Sequence, residues 1–294
     1  YLQKTYGYEI TFAAWMKVGV PLVLILLPIC WIWLTKIANP MKLKKVPGGR
    51  DLIHKELREM GPMNAGERWT SLVFALTALG WIFRKKLGFM FSDPTMITDA
   101  TIAMTGAILL FLIPISLKRN NVVMDWHWAT KMPWGVLILF GGGLAMAAGF
   151  KQTKLADWIG SQVGLLDQAP VLVLIIAVAT LIIFLTELTS NTATSAMVMP
   201  ILAAVAIGLG QNPLLLVVPA AIAASCAFML PVATPPNAIV FGSGYVTIPQ
   251  MAKSGFGLNI IGIVVTVVVT YLLVLPMFGV VINELPVWAQ NIPK

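Results

Sequence analysis

Charged residues are scarce in this chain: Asp, Glu, Lys and Arg make up 11% of its 294 residues, about half the fraction a soluble domain carries. A solvated globular surface over most of the length is thereby excluded. Histidine and cysteine are scarcer still, with two of each. No HExxH or GxSxG spacing accompanies them, so the sequence offers neither a zinc site nor a nucleophile with its base, and an enzyme is not expected. Cys30 and Cys226 both lie in apolar runs, where a cysteine acts as a small hydrophobe rather than as a disulfide partner. Gly141-Gly142-Gly143 lacks the lysine–hydroxyl pair of a phosphate loop and reads as close helix packing or a local break.

Hydrocarbon fills the chain instead. It is 58% hydrophobic with a mean hydropathy of +0.86, and its ten Trp suit lipid–water interfaces. The net charge of +8 is not laid out as a nucleic-acid surface, because eight of the twenty Lys and Arg fall between Lys36 and Arg68. Such clustering marks a cytoplasmic loop under the positive-inside rule. Membrane lipid is therefore an expected partner and nucleic acid is not. With loop 36–68 inside, Arg84-Lys85-Lys86 falls outside, which counts against that orientation.

Spans of about 20 apolar residues set the organisation. A first helix is expected over 18–35, stopped by Lys36 and Asn39-Pro40. The polar stretch 36–68 follows, with an amphipathic interfacial helix over 50–60. Scaffold helices are expected over 69–132: a short span at 69–83 ending at Arg84, and one at 95–117 opened by Asp93-Pro94. Region 133–294 holds an apolar segment at 133–150, an interfacial helix at 151–163, a re-entrant helical hairpin at 170–209, a broken helix at 213–246 and a last helix at 256–282. The fold class is thus all-α, a polytopic membrane protein. The first ten residues, beginning at Tyr1, read as a loop already in progress, and the chain as part of a longer protein.

The hairpin reading rests on Thr186-Glu187-Leu188-Thr189-Ser190-Asn191-Thr192-Ala193-Thr194-Ser195, which sets one carboxylate and seven hydroxyl or amide side chains between two apolar runs. Unpartnered, each would cost several kcal/mol in hydrocarbon, so they must face protein, water or a solute. Both flanking runs are near the lower limit for crossing a bilayer, and the hinge at 190–192 is polar. The broken helix rests on Pro231-Val232-Ala233-Thr234-Pro235-Pro236-Asn237, where proline removes donors; its halves are expected to end at Leu230 and begin near Asn237. Carbonyls freed at helix ends coordinate cations, and free N–H groups at helix starts attract carboxylates. Neutral oxygens of this kind suit Na⁺.

These two motifs resemble the second-repeat signature of the divalent anion–sodium symporter family, the dicarboxylate and citrate carriers, and the layout of spans resembles that family's carboxyl-terminal half. The resemblance implies sodium-coupled transport of a succinate-like di- or tricarboxylate across the plasma (inner) membrane by a multi-pass homodimer, with Na⁺ as coupling ion and no organic cofactor. It implies that Ser190, Asn191, Thr192, Thr234 and Pro235 contact the substrate carboxylate. By the same resemblance Thr186, Thr189, Asn191 and Ala233 surround a sodium ion, partly through backbone carbonyls. Family members carry two inverted repeats, whereas each motif occurs once here, so half of the site and the first sodium position are expected to be missing.

Several supporting residues keep two readings. Glu187 is an anchor for the hairpin tip or a sodium ligand. Asn237, after Pro236, is a helix N-cap or a hold on the facing tip. Ser243 is a packing residue or a ligand contact; His54 and His127 read as solvated loop residues. A carrier of another anion (sulfate, arsenite or citrate) on the same plan, or a channel, remains the alternative; saturable sodium-dependent uptake separates carrier from channel.

Overall fold

A computed structural model describes residues 1–40, 49–89, 97–116, 121–131 and 169–290, with isolated residues between 132 and 168. They divide into two compact units, one of residues 10–16 and 41–133, the other of 1–9, 17–40 and 134–294. The apolar segment at 133–150 and the interfacial helix expected at 151–163 lie largely outside the described residues.

In the smaller unit, α3 (Gly49–Met60) precedes α4 (Ala65–Gly88). A capping box starts α4: Asn64 Oδ1 accepts the Glu67 N–H at 2.9 Å, and Glu67 Oε2 accepts the Asn64 N–H at 2.8 Å, satisfying two end donors. The helix thus begins four residues before the expected 69. It also runs through Arg84-Lys85-Lys86, the expected stop. Arg84 is buried and meets Asp99 at 3.3 Å. Asp99 Oδ2 also accepts the Phe12 N–H at 3.4 Å, and its carbonyl accepts Trp81 Nε1–H at 2.9 Å. The cation is consumed inside the unit, so it does not end the helix.

Helix α5 (Asp99–Leu112) is capped by Thr98 and Thr101, and so is shorter than the expected 95–117. Asp93-Pro94, the expected cap, lies outside the described residues. A short antiparallel pair, β1 (Pro114–Ser116) with β2 (Asn121–Val122), and α6 (Trp126–Ala129) follow. Replacing Arg84 with Met should lower stability by about 1–3 kcal/mol, since Asp99 loses its charged partner. Thermal unfolding in detergent, with Asp99→Asn as the paired variant, measures it.

In the larger unit the first residues form α1 (Leu2–Tyr6), closed by Gly7 at φ 71, not a loop, and Tyr8 stacks on Trp288 with ring centroids 4.5 Å apart. Helix α2 (Phe12–Ile32), which belongs to this unit from Lys17 onward, continues as a π-helical turn, Trp33–Ala38, to Asn39. Then come α7 (Val171–Thr186), α8 (Asn191–Gly208), α9 (Leu214–Ala223), α10 (Pro235–Gly242) and α11 (Ile248–Val269). A π-helical turn, Thr270–Val274, and α12 (Leu275–Phe278) extend α11, and α13 (Val287–Gln290) closes the described chain.

The core centres on α9, whose residues are buried almost throughout, with Ile182 and Ile183 of α7 and Ile263 of α11 packed around Ala220, Ala223 and Cys226. At ten residues, α9 is about 15 Å long, half of a bilayer's hydrocarbon core. Among the described residues, three helical stretches are long and apolar enough to cross a membrane: Phe12–Ala38, Asn191–Gly208 and Ile248–Phe278. The outward faces of α2, such as Leu24 and Leu27, are apolar, as a lipid-facing helix requires. The chain is an all-α, polytopic membrane protein.

Two boundaries differ informatively from expectation. The hinge lies at 187–190, because Asn191 and Thr192 already form the first turn of α8. The helix break spans 224–234 and starts well before Pro231. In a continuing helix the Phe228 N–H would bond the Ala224 carbonyl. Here the Phe228 N–H goes to Glu187 Oε1 at 2.8 Å, and the Ala224 carbonyl accepts the Thr186 hydroxyl at 2.9 Å. Side chains at the end of α7 and the first residue of the hinge, not a proline, therefore take the bonds that would continue α9. Prolines 21, 28, 200 and 219 all sit inside helices, as buried membrane helices tolerate.

Candidate functional site

The two interruptions, 187–190 and 224–234, meet at one open cavity of about 760 Å³. Residues 188–192 line it from the first interruption, and Ser225, Ala227, Phe228 and 232–237 from the second. Among the expected residues, Thr189, Ser190, Asn191, Thr192, Ala233, Thr234, Pro235, Pro236 and Asn237 all face this space. Thr186 and Glu187 do not line it; both are buried behind it.

Each wall is built by local bonding. Thr189 Oγ1 donates to the Leu185 carbonyl at 3.0 Å and pairs with the Thr194 hydroxyl, which fixes the turn between α7 and α8. Ser190 occupies the N-cap of α8, yet its hydroxyl makes no capping bond. The start of an 18-residue helix, with its partial positive charge and unspent N–H groups, thus opens on the cavity. The start of α10 differs. Pro235 and Pro236 have no N–H, and Thr234 Oγ1 already accepts the Asn237 N–H at 3.3 Å. Helix α10 therefore offers an anion its dipole and the Thr234 hydroxyl proton, but no free amide in its first turn; the expectation of amide donors holds for α8 alone.

Neutral oxygens collect around Asn191. Thr186 Oγ1 lies 2.8 Å from Asn191 Oδ1 and 2.9 Å from the Ala224 carbonyl, and one hydroxyl proton cannot serve both acceptors. Rotating the Asn191 amide by half a turn resolves this: its NH₂ donates to Thr186, Thr186 donates to Ala224, and the amide oxygen turns away from both. The oxygen that Thr186 reaches in the second interruption is the carbonyl of Ala224, buried behind the cavity, whereas Ala233 lines it.

Asn237 takes neither role expected of it. Thr234 is the cap, and Asn237 Nδ2 donates to the Ala227 and Leu230 carbonyls, both at 3.0 Å, pinning the break to the helix that follows. Ser243 is local as well, donating to the Val240 carbonyl and accepting the Tyr245 N–H. His54 and His127 are exposed, on α3 and α6. None of the cavity-lining residues carries a charge.

Residues 1–280 match the family described as "Sodium:sulfate symporter transmembrane region". The chain belongs to this symporter family. Among its relatives is the "Sodium-dependent dicarboxylate transporter SdcS" of Staphylococcus saprophyticus, 47% identical over 283 residues, covering 96% of this chain and 54% of the relative. The protein of the same name from Staphylococcus aureus strain USA300 is 45% identical over 285 residues, covering 97% and 55%. The chain thus spans about half the length of the curated relatives it matches.

Sequence reasoning on this symporter-family chain missed Ala224, Ser225, Phe228 and Asn259. Ser225 and Phe228 wall the cavity only because the break begins early, and no local pattern marks that. Asn259 was legible: it is the one amide in the apolar run from Phe256 to Val265, and a lone polar group there needs a partner.

Proposed function

We propose that this chain forms one wall of the binding site of a sodium-coupled secondary active transporter for dicarboxylates of the succinate type, working in the plasma membrane as a homodimer. The observation that carries the reading is the cavity between two helix interruptions, polar yet without a charged side chain. A dianion meets there only hydroxyls, amides and one exposed helix start, which hold it weakly. A cation bound first supplies the missing charge, so each ligand raises the affinity for the other, reciprocally. Family membership and the names of the two relatives support the same assignment.

In this reading Ser190, Asn191, Thr192 and Thr234 hold a substrate carboxylate, with Pro235 shaping the wall. Thr189, the Asn191 amide oxygen and Ala233 surround sodium, with Thr186 orienting Asn191 from behind. Helices α7 and α8 re-enter from one side of the bilayer, which keeps their polar turn within protein. Residues 133–294 then belong to the substrate-carrying part and 69–132 to the scaffold.

Uptake of labelled succinate into proteoliposomes containing the whole gene product tests this. Saturable uptake that needs a sodium gradient is expected, and apparent sodium affinity should rise with succinate. Uptake indifferent to sodium would overturn the coupling. The family's description favours sulfate as the second reading of the anion, and displacement of succinate by sulfate at equal concentration would select it.

A further inference from the structure

We infer that Asn259, which does not line the cavity, is a positioning residue for the site, acting through Glu187 on the wall that carries Ala233 and Thr234. The inference rests on the transport reading above. Asn259 lies on α11, fully buried, and its Nδ2 donates to Glu187 Oε1 at 2.9 Å. Glu187 stands at the end of α7, 3% exposed, and its carboxylate accepts three consecutive backbone N–H groups of the break. Phe228 and Met229 reach Oε1 at 2.8 and 2.9 Å, and Leu230 reaches Oε2 at 3.0 Å. From Leu230 the chain runs through Pro231 directly to Ala233 and Thr234 on the cavity wall.

The contact cannot be replaced by a shift of α11. A Cβ on Gly255, one turn before Asn259, would stand 2.2 Å from the Phe228 carbonyl oxygen. The α11 backbone therefore lies against the break, and Asn259 is the donor that this approach delivers. The carboxylate needs it for orientation: three donors converge on Oε1, and rotation about the last side-chain bond would break all of them together. Asn259 Oδ1 is buried without a partner among the described residues. A buried acceptor left unpaired calls for an explanation, and the task of the amide's other end supplies one. The chain of effect is Asn259 to Glu187, Glu187 to 228–230, and 228–230 to the wall.

The test is Asn259→Asp, compared with wild type at each pH in reconstituted whole gene product. The new carboxyl keeps the shape and loses the NH₂. At acid pH it is protonated and donates its O–H to Glu187; at alkaline pH it is ionised and repels it. Besides Glu187, the charged groups on the elements around it are Lys36 and Lys253, both exposed. The variant should match wild type at acid pH. At alkaline pH the half-saturating concentrations of sodium and succinate should both rise about tenfold, with the maximal rate little changed.

A residue that only packs would give no such pH-dependent recovery. Half-saturating concentrations within twofold of wild type at both ends of the pH range overturn the inference, as does a fall in maximal rate alone. Should Asn259→Asp fail to fold, Asn259→Ser, which keeps a donor on a shorter arm, decides. It should weaken both affinities and leave the maximal rate; unchanged affinities overturn the proposal. Absence of sodium-dependent uptake by wild type would instead refute the transport reading itself.

Discussion

Glu187→Leu should lower the unfolding free energy by about 3–5 kcal/mol, the largest loss expected of any single exchange near the cavity. Four donors converge on its carboxylate, three from the backbone at 228–230 and one from Asn259. Leucine fills the space and leaves all of them facing hydrocarbon. Glu187→Gln is the sharper probe. Its amide oxygen serves the three donors at Oε1, but its NH₂ is set against the Leu230 N–H, and the remaining bonds lose charge assistance. A cost of about 2–3 kcal/mol follows.

Thermal unfolding in detergent ranks the series as wild type, Gln, Leu, from most to least stable. Loss of sodium-dependent uptake should run ahead of loss of stability, because the segment released first, 228–230, leads straight to Ala233 and Thr234. A Glu187→Gln protein as stable as wild type would mean that the carboxylate does not hold the break.

That acid also explains how far the sequence could be read. Apolar runs, the polar insert after Thr186 and the prolines before Asn237 are local signals, and they are enough to place two interruptions in an all-α membrane protein. Where each interruption begins is set by partners distant in sequence. Thr186 takes the Ala224 carbonyl and Glu187 the N–H groups of 228–230, so α9 ends at Ala223 and not at the proline eight residues later. Composition carries no trace of a bond between residues about forty positions apart.

The same holds in the smaller unit. Arg84 looks like a helix stop until Asp99 is brought to 3.3 Å. Other misses were avoidable. The Asn64–Glu67 capping box is a local pattern that fixes the true start of α4, and the preference of threonine for an N-cap was available at Thr234. Among the site residues, the grouping at one cavity was legible from the two motifs, whereas the division of labour was not. Thr186 and Glu187 stand behind the wall, and Asn237 pins the break, because burial and hydrogen-bond direction depend on the packed structure.

Asn191→Asp should separate the two ligands more strongly than any other change in the lining. In the proposed reading the position serves both: its amide meets Thr186 at 2.8 Å, and its backbone begins the exposed first turn of α8. A carboxylate here keeps the size and the amide oxygen and replaces the NH₂ with a second oxygen, so a cation loses no ligand and gains a formal charge beside it. Thr186 loses the NH₂ that donates to it and has one proton for two acceptors, the acid and the Ala224 carbonyl. For a dianion the same charge is a neighbour of like sign. Two unit charges about 4 Å apart at an effective dielectric constant near 20 repel by about 4 kcal/mol, close to a thousandfold in affinity. Sodium should therefore bind at least as well as in wild type, measured by its protection of the protein against unfolding, while succinate uptake falls by two orders of magnitude or more. Asn191→Ser, which shortens the ligand and adds no charge, should weaken both modestly and together. If Asn191→Asp were to transport succinate with wild-type affinity, the carboxylate would not sit beside α8, and the anion would have to be held by the 234–237 wall alone. That outcome is disfavoured by the same geometry, because Pro235 and Pro236 leave the first turn of α10 without a free N–H to offer.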